Sequence, residues 1–238
     1  MKRILAISDI HGCYDEFKKL LELVDYKLSS DQLILVGDYV DRGMKSKDVL
    51  YKVIELVNNG AIALRGNHDE MFLDWLTSDD YISAVNFFRN GGFSTVTSYV
   101  GYNWFDEGYD EVLMGKAKQF ILKNYSEHVS FLSNLPYYHE TEHYIFVHAG
   151  INPYLRDWKY TENNDFIWIR DQFLHNDHNH KQTIIHGHTP ATYLHKKHDI
   201  YFGNKKIGID GACAYGGQLN CLEIKDGEFK QFQVSKMK

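Results

Sequence analysis

Asp9, Asp38 and Asn67 stand 29 residues apart, each just beyond a short apolar run. A strand, a crossover helix and the next parallel strand together take about 30 residues, so this spacing is that of successive βαβ units. The segments between the runs agree. Arg3 to Ser8, Gln32 to Val36 and Ala61 to Leu64 read as buried parallel strands, apolar without alternation. Phe17, Leu20, Leu21 and Val24 recur at helical spacing, as do Val49, Leu50, Val53, Ile54 and Val57. Ser46 reads as the N-cap of the second helix and Gly60 as its C′ glycine. The order is β-α-β-α-β with right-handed crossovers. Ligands of such sheets sit outside the carboxyl ends of the strands, where these three residues lie.

The rest of the chain reads differently. From about residue 71 to 134 it is polar and aromatic with helical stripes, which predicts a helical insertion. The pair Gly91-Gly92 marks a tight turn within it. Strand signals return at Tyr144 to Val147, Thr183 to Ile185, Lys206 to Ile209 and Leu219 to Ile224. Asp226-Gly227 then forms a hairpin turn into a last strand near Phe229 to Val234. With 238 residues, three Pro and no repeat, the whole span 1–238 reads as one α/β domain.

The chemistry gathers at the strand ends. Asp9-Ile10-His11-Gly12 follows the first strand, Gly37-Asp38-Tyr39-Val40-Asp41-Arg42-Gly43 the second, and Gly66-Asn67-His68-Asp69 the third. Later strands end in His148-Ala149-Gly150 and His186-Gly187-His188-Thr189. Asp9, His11, Asp38, Asn67, His148 and His188 then converge as oxygen and imidazole ligands. Such a mixed set suits Mn, Fe or Zn rather than Ca. Six ligands exceed the need of one tetrahedral ion but fit two ions about 3.5–4 Å apart, a pair able to clamp the attacking and leaving oxygens of an in-line displacement. Asp38, on the middle strand end, is the natural bridge.

Charge bears on the same point. The net charge of −6 excludes broad nucleic-acid binding, which needs a basic face. Two divalent ions would make a local positive excess that survives Asp9, Asp38 and a bridging hydroxide, which answers how an acidic chain binds phosphate. Cys13, Cys213 and Cys221 give no disulfide framework, so a reducing cytoplasm is expected. The apolar run after Met1-Lys2-Arg3 is too short for a signal peptide, and no segment approaches the length of a membrane span.

In order and spacing, Asp9-x-His11-Gly12, Gly37-Asp38-x-x-Asp41-Arg42-Gly43, Gly66-Asn67-His68, His148-Ala149-Gly150 and Gly187-His188-Thr189 are similar to the signature blocks of the phosphoprotein phosphatase family of calcineurin-like metallophosphoesterases. The resemblance extends through Trp168-Ile169-Arg170 and the stretch from Gly208 to Gly217. It is closest to the bacterial and phage branch, which includes lambda-phage-type phosphatases and symmetrical diadenosine tetraphosphate hydrolases. The fold it implies is a sandwich of two mixed β-sheets flanked by helices. Asp9, His11 and Asp38 match the ligands of one metal, and Asp38, Asn67, His148 and His188 those of the other, most often manganese. His68 matches the family's general acid, Asp41 the carboxylate that orients it, and Arg42 and Arg170 its phosphate-binding arginines. Ser8 stands where Gly is common, Asp69 where eukaryotic members carry Glu, and Ala149 where many have a second Gly. None of these removes a ligand.

The activity so implied is hydrolysis of phosphomonoesters by a metal-bridging hydroxide with no phosphoenzyme. A serine/threonine protein phosphatase is the first reading and a symmetrical bis(5′-nucleosyl)-tetraphosphate hydrolase the alternative. A metal-binding interaction module without catalysis is a third reading, but it would be expected to lack a ligand or the His68–Asp41 pair. Stacking from Trp75, Phe87, Phe88 or Trp104 would favour the nucleotide. His186 reads as a residue supporting the ligands from behind, His175 to His180 as a solvated loop, Cys13 as a helix-start residue without a role, and Tyr215 as a wall of the site.

Overall fold

The computed structural model describes residues 2–106, 108 and 110–237. The first third folds as β1 (Arg3–Ile7), α1 (Tyr14–Leu23), β2 (Asp31–Leu35), α2 (Ser46–Asn58) and β3 (Ile62–Ala63). Then come α3 (Asn67–Thr77), α4 (Tyr81–Arg89), α5 (Gly92–Val100), α6 (Glu111–Asn124) and α7 (Ser126–Ser133). The remainder is β4 (Tyr138–Glu140), β5 (Tyr144–Val147), α8 (Asn163–Trp168), α9 (Asp171–Leu174), β6 (Thr183–His186), α10 (Ala191–His195), β7 (Tyr201–Phe202), β8 (Lys206–Gly208), β9 (Gln218–Lys225) and β10 (Glu228–Ser235).

The strands form two mixed sheets, ordered β10-β9-β1-β2-β3 and β4-β5-β6-β8-β7. Period-two alternation sorts their apolar side chains into three layers. Leu5 and Ile7 of β1 and Leu33 and Leu35 of β2 face the helices, while Ala6, Ile34 and Val36 face the second sheet. Phe146 and Ile185 meet them there, and Ile145, Val147 and Ile184 turn outward onto α8 and α9. A strand covered on both faces must be apolar at every position, which is why these runs do not alternate. Fully burying one such side chain contributes about 1.5–3 kcal/mol.

Register decides where the chemistry goes. Ile7 pairs with Leu35, and Leu35 with Ala63, so the three parallel strands of the first sheet end level. Val147 pairs with His186, and His186 with Gly208, so those of the second sheet also end level. The loops after six strands therefore leave along one edge of the sandwich.

Several expectations shift. The helical segment begins at Asn67, not near 71, because Asn67 and His68 are themselves the first turn of α3. Ser46 is the first residue of α2 rather than its cap; Lys45 holds that place, and the Ser46 hydroxyl serves Asp41 instead. Gly60 has φ +98°, the left-handed conformation expected of a C′ glycine. Asp226 and Gly227 both take positive φ, as the hairpin turn requires. The short strands β4 and β7 were not read from the sequence.

Candidate active site

The loops after β1 and β2 run side by side as a ladder that continues the sheet. Asp9 N–H donates to Gly37 O at 3.1 Å, His11 N–H to Asp38 O at 2.9 Å, and Gly12 N–H to Tyr39 O at 2.9 Å. This stitching holds backbone that L residues seldom adopt. Asp9, His11, Asp38, Asp41, Arg42 and His188 all have φ between 44° and 71°. Such conformations persist where the surroundings over-determine them, and they concentrate at functional sites. Gly66 and Gly187 let side chains approach the backbone closely. A Cβ at Gly66 would lie 2.2 Å from Asp38 Oδ1, and one at Gly187 2.1 Å from Asp9 Oδ2.

The six residues read as ligands come together. Asp38 Oδ2 lies 3.3 Å from His11 Nε2 and 3.4 Å from His148 Nε2. Asn67 Oδ1 is 3.0 Å from His148 Nε2 and 2.9 Å from His188 Nδ1. Asp9 is 4.0 Å from His11 Nε2, and both of its carboxylate oxygens accept from His188 N–H. Two groups of donors there are able to hold metal ions: His11, Asp38 and His68, and Asp9, Asp38 and His148.

The hydrogen bonds test whether a cation fits. His11 Nδ1 lies 2.8 Å from Val40 O, and His148 Nδ1 2.9 Å from Val36 O. A carbonyl only accepts, so each Nδ1 carries the proton and each neutral ring turns the lone pair of Nε2 into the cluster. The His148 lone pair then faces Asp38 Oδ2 and Asn67 Oδ1 at about 3 Å. Acceptor against acceptor at that range is repulsive unless a cation stands between them or the ring takes a second proton. The donor set therefore fits divalent ions.

The acid–base balance of the cluster says the same. Burial would lower His148, but Asp38 and Asp9 outweigh it and bring it to about 9. Burial raises Asp9 to about 6, partly countered by His148. Asp38 is held well below the usual carboxylate range because His148 and its imidazole neighbours overcome burial. Burial lowers His11 and His188. In the metal-free protein a raised His148 keeps its extra proton below about pH 9, and a metal must displace it. Apparent Mn affinity should therefore fall about tenfold per pH unit from 9 to 6, and about a hundredfold per unit below 6, where Asp9 also protonates. Calorimetric titration across this range checks the slope; a pH-independent affinity would contradict it.

Around the cluster stand the other predicted residues. His68 Nδ1 lies 2.7 Å from Asp41 Oδ2, and both side chains are buried. The Arg42 fork spans two rings: one Nη contacts His11 Nε2 and the other lies 2.8 Å from His68 Nε2. Its guanidinium carbon sits 4.7 Å from the centre of the Tyr215 ring. Arg170 Nε donates to His188 Nε2 at 3.0 Å. A cleft of about 560 Å³ opens here, lined by Arg42, Arg170, His188, Tyr193, Asp210 and Tyr215 among others. A second, of about 500 Å³, carries Met71, Tyr137 and Trp168, and Asn90 borders both.

Some expectations fall away. Trp75 and Phe87 are buried and stack on Phe72, while Phe88 packs on both of them and Trp104 on Phe120. They pack into the insertion's own core and line neither cleft, while Trp75 and Phe88 border a separate cavity of about 980 Å³. His186 is buried and packs edge-on against Phe173, with Nδ1 3.1 Å from Gly187 O. In the His175–His180 stretch, His178 is buried and stacks on His180, so only part of it is solvated.

Other residues were missed. Asp69 clamps the β2 loop to α3 by accepting from the backbone N–H of Asp38, Tyr39 and Gly66. Its place three residues after Gly66, where a capping-box acid reaches back, was the available signal. Asp210 follows β8, lines the cleft and is pushed well up by burial and by Asp9; the strand-end rule applied once more would have found it. Thr95, buried on α5, donates to Asp41, and no local pattern marks it.

Comparison with known proteins gives a consistent family. A family model described as calcineurin-like phosphoesterase matches residues 2–210. A symmetrical bis(5′-nucleosyl)-tetraphosphatase of Nitrosospira multiformis is 52% identical over 66 residues, which is 28% of this chain and 24% of that protein. The chain thus matches about a quarter of that relative's length. Serine/threonine-protein phosphatase 1 of Salmonella typhimurium is 26% identical over 232 residues, covering 94% of this chain and 93% of the relative. A solved structure described as a putative diadenosine tetraphosphatase superposes with a TM-score of 0.69 at 21% identity, covering 99% of this chain and 94% of that one, and so shares the two-sheet fold.

Proposed function

The chain belongs to the calcineurin-like phosphoesterase family, and from that premise we propose a dinuclear metal site that hydrolyses a phosphoric anhydride bond of a dinucleoside tetraphosphate. The observation that carries the site is the meeting of Asp9, His11, Asp38, Asn67, His148 and His188 in one cluster, with the His148 lone pair turned toward Asp38 and Asn67 oxygens. Two divalent ions bound there, manganese first, would supply positive charge for the phosphate and activate water for attack.

The chain's own residues do the rest. Arg42 donates toward His11 and His68 and offers a planar fork that phosphate oxygens can engage bidentately. A phosphate that draws the fork away frees the His68 Nε2 to carry a proton toward the leaving oxygen. Asp41 holds the opposite ring nitrogen and so fixes which one faces the substrate. Arg170 spends only its Nε on His188, which leaves its terminal nitrogens for a second set of phosphate oxygens. The Tyr215 ring sits under the Arg42 guanidinium and is largely exposed, as is Tyr193.

Two observations support the tetraphosphate. A relative 52% identical over 66 residues is a symmetrical tetraphosphatase. The two clefts are similar in volume and share Asn90 in their linings, and one of them is lined by His188 of the ligand set, which suits a long substrate. The phosphoprotein reading keeps one specific support, the match along 94% of the chain to a protein phosphatase. Turnover of diadenosine tetraphosphate and of a phosphoserine peptide, measured side by side with Mn, tests the choice. The tetraphosphate should be preferred by at least about tenfold in kcat/KM, equal to about 1.4 kcal/mol of transition-state binding, with ADP as the sole nucleotide product. Preference for the peptide by the same margin would reverse the assignment.

A further inference from the structure

We propose that Thr95, carried on α5 of the helical insertion, is a positioning residue for the His68–Asp41 pair. This rests on the reading of His68 as the proton donor.

The hydroxyl is fully committed. Thr95 Oγ1 lies 2.7 Å from Asp41 Oδ1, to which it donates, and 2.8 Å from Asp41 N, from which it accepts. Its third neighbour is Ser46 Oγ at 3.1 Å. Thr95 has one proton, already given to the carboxylate, so Ser46 must be the donor in that contact. Ser46 Oγ also accepts from Asp41 N at 3.2 Å. Thr95 is fully buried.

The geometry shows what this does. The terminal torsion of an aspartate is soft, with a broad, roughly two-fold profile. A carboxylate held only by His68 would rotate. Thr95 fixes Oδ1, so Oδ2 is the oxygen that meets His68 Nδ1 at 2.7 Å. The His68 ring is thereby locked with Nε2 toward Arg42 and the cleft. The same helix supports the arginine. Arg42 N–H donates to Gly91 O at 3.2 Å, and Gly91 has φ +99° as it opens α5. A Cβ on Gly91 would lie 3.0 Å from Arg42 Cγ. One helix, reached 54 residues after Asp41 in the chain, thus seats both the orienting carboxylate and a phosphate-binding fork. The insertion is part of the proton-delivery apparatus as well as a wall.

The test exploits the leaving group. A nitrophenolate departs without a proton, whereas a phenolate or alkoxide needs one, so damage to proton delivery grows with leaving-group basicity. Thr95→Val keeps the shape and removes the hydroxyl; Thr95→Ser restores it. On phenyl phosphate with saturating Mn, Thr95→Val and Thr95→Ala should each lose about tenfold or more in kcat. The loss on 2,4-dinitrophenyl phosphate should be small, KM and the two-metal content should hold, and Thr95→Ser should stay near wild type. His68→Asn is measured in parallel. If it shows the leaving-group dependence and the Thr95 variants lose equally on both esters, Thr95 is a packing residue and the proposal is wrong. If His68→Asn itself shows no such dependence, the proton-donor reading fails first and takes this one with it. Should Thr95→Val fold poorly, Thr95→Ala against Thr95→Ser decides the matter.

Discussion

Asp38→Asn should abolish turnover and remove the metal-dependent gain in thermal stability while leaving the fold intact. The substitution is well suited to the site. Asp38 has φ +59°, and Asn tolerates the left-handed region better than almost any other non-glycine residue. The variant amide oxygen can still accept from His68 N–H, as Asp38 Oδ1 does at 2.9 Å. What is lost is the charge on Oδ2, which stands 3.3 Å from His11 Nε2 and 3.4 Å from His148 Nε2, between the two donor groups. A residue shared by both groups takes both down with it, whereas loss of His188 would weaken one. In the wild type, a metal at a hundredfold excess over its Kd adds about 2.7 kcal/mol to stability. In Asp38→Asn that increment should vanish from thermal melts, with elemental analysis showing fewer than two metals per chain and activity down at least about a thousandfold. A variant that kept both ions and the full stabilisation would remove Asp38 from the bridging position.

How much of this could be read from the chain differs between its parts for a physical reason. The positions of Asp9, Asp38 and Asn67 were legible because a βαβ unit has a nearly fixed length and the register brings β1, β2 and β3 level. His148 and His188 were legible by the same strand-end logic on the second sheet. Side chains acting across the chain were not. Thr95 reaches Asp41 only because α5 packs on α2, and a Thr within a helix carries no local sign of such a task. The aromatics show the opposite error. Trp75 and Phe87 looked available for a base, yet a set of short helices set outside the sheets needs apolar side chains of its own, and these rings supply them around Phe72. Of the aromatic residues that do line the clefts, Tyr215 was read from the sequence, whereas Tyr137, Trp168 and Tyr193 lie outside any helical stripe. β4 and β7 escaped because two or three half-buried residues at a sheet edge show no period.

His68→Asn separates two roles that the geometry allows. His68 lies within reach of His11 and Asp38, so the three together are able to hold an ion. It also lies 2.7 Å from Asp41 through Nδ1, with Nε2 in contact with Arg42. The second arrangement favours proton donation. Two of the ligand imidazoles turn the outer nitrogen to a backbone carbonyl, His11 toward Val40 and His148 toward Val36, and His188 turns it to Arg170. His68 alone among the cluster's histidines turns it to a carboxylate, which fixes the ring and leaves Nε2 toward Arg42 and the cleft. Asn keeps a polar side chain at the start of α3 but cannot deliver a proton. Turnover of a substrate with a basic leaving group should therefore drop by about a hundredfold to ten-thousandfold, with two metals still bound and KM little changed. A ligand role would give the reverse: metal content would fall, and added Mn would restore a large part of the activity. Metal analysis of the purified variant, set beside its kcat at rising Mn, decides between the two.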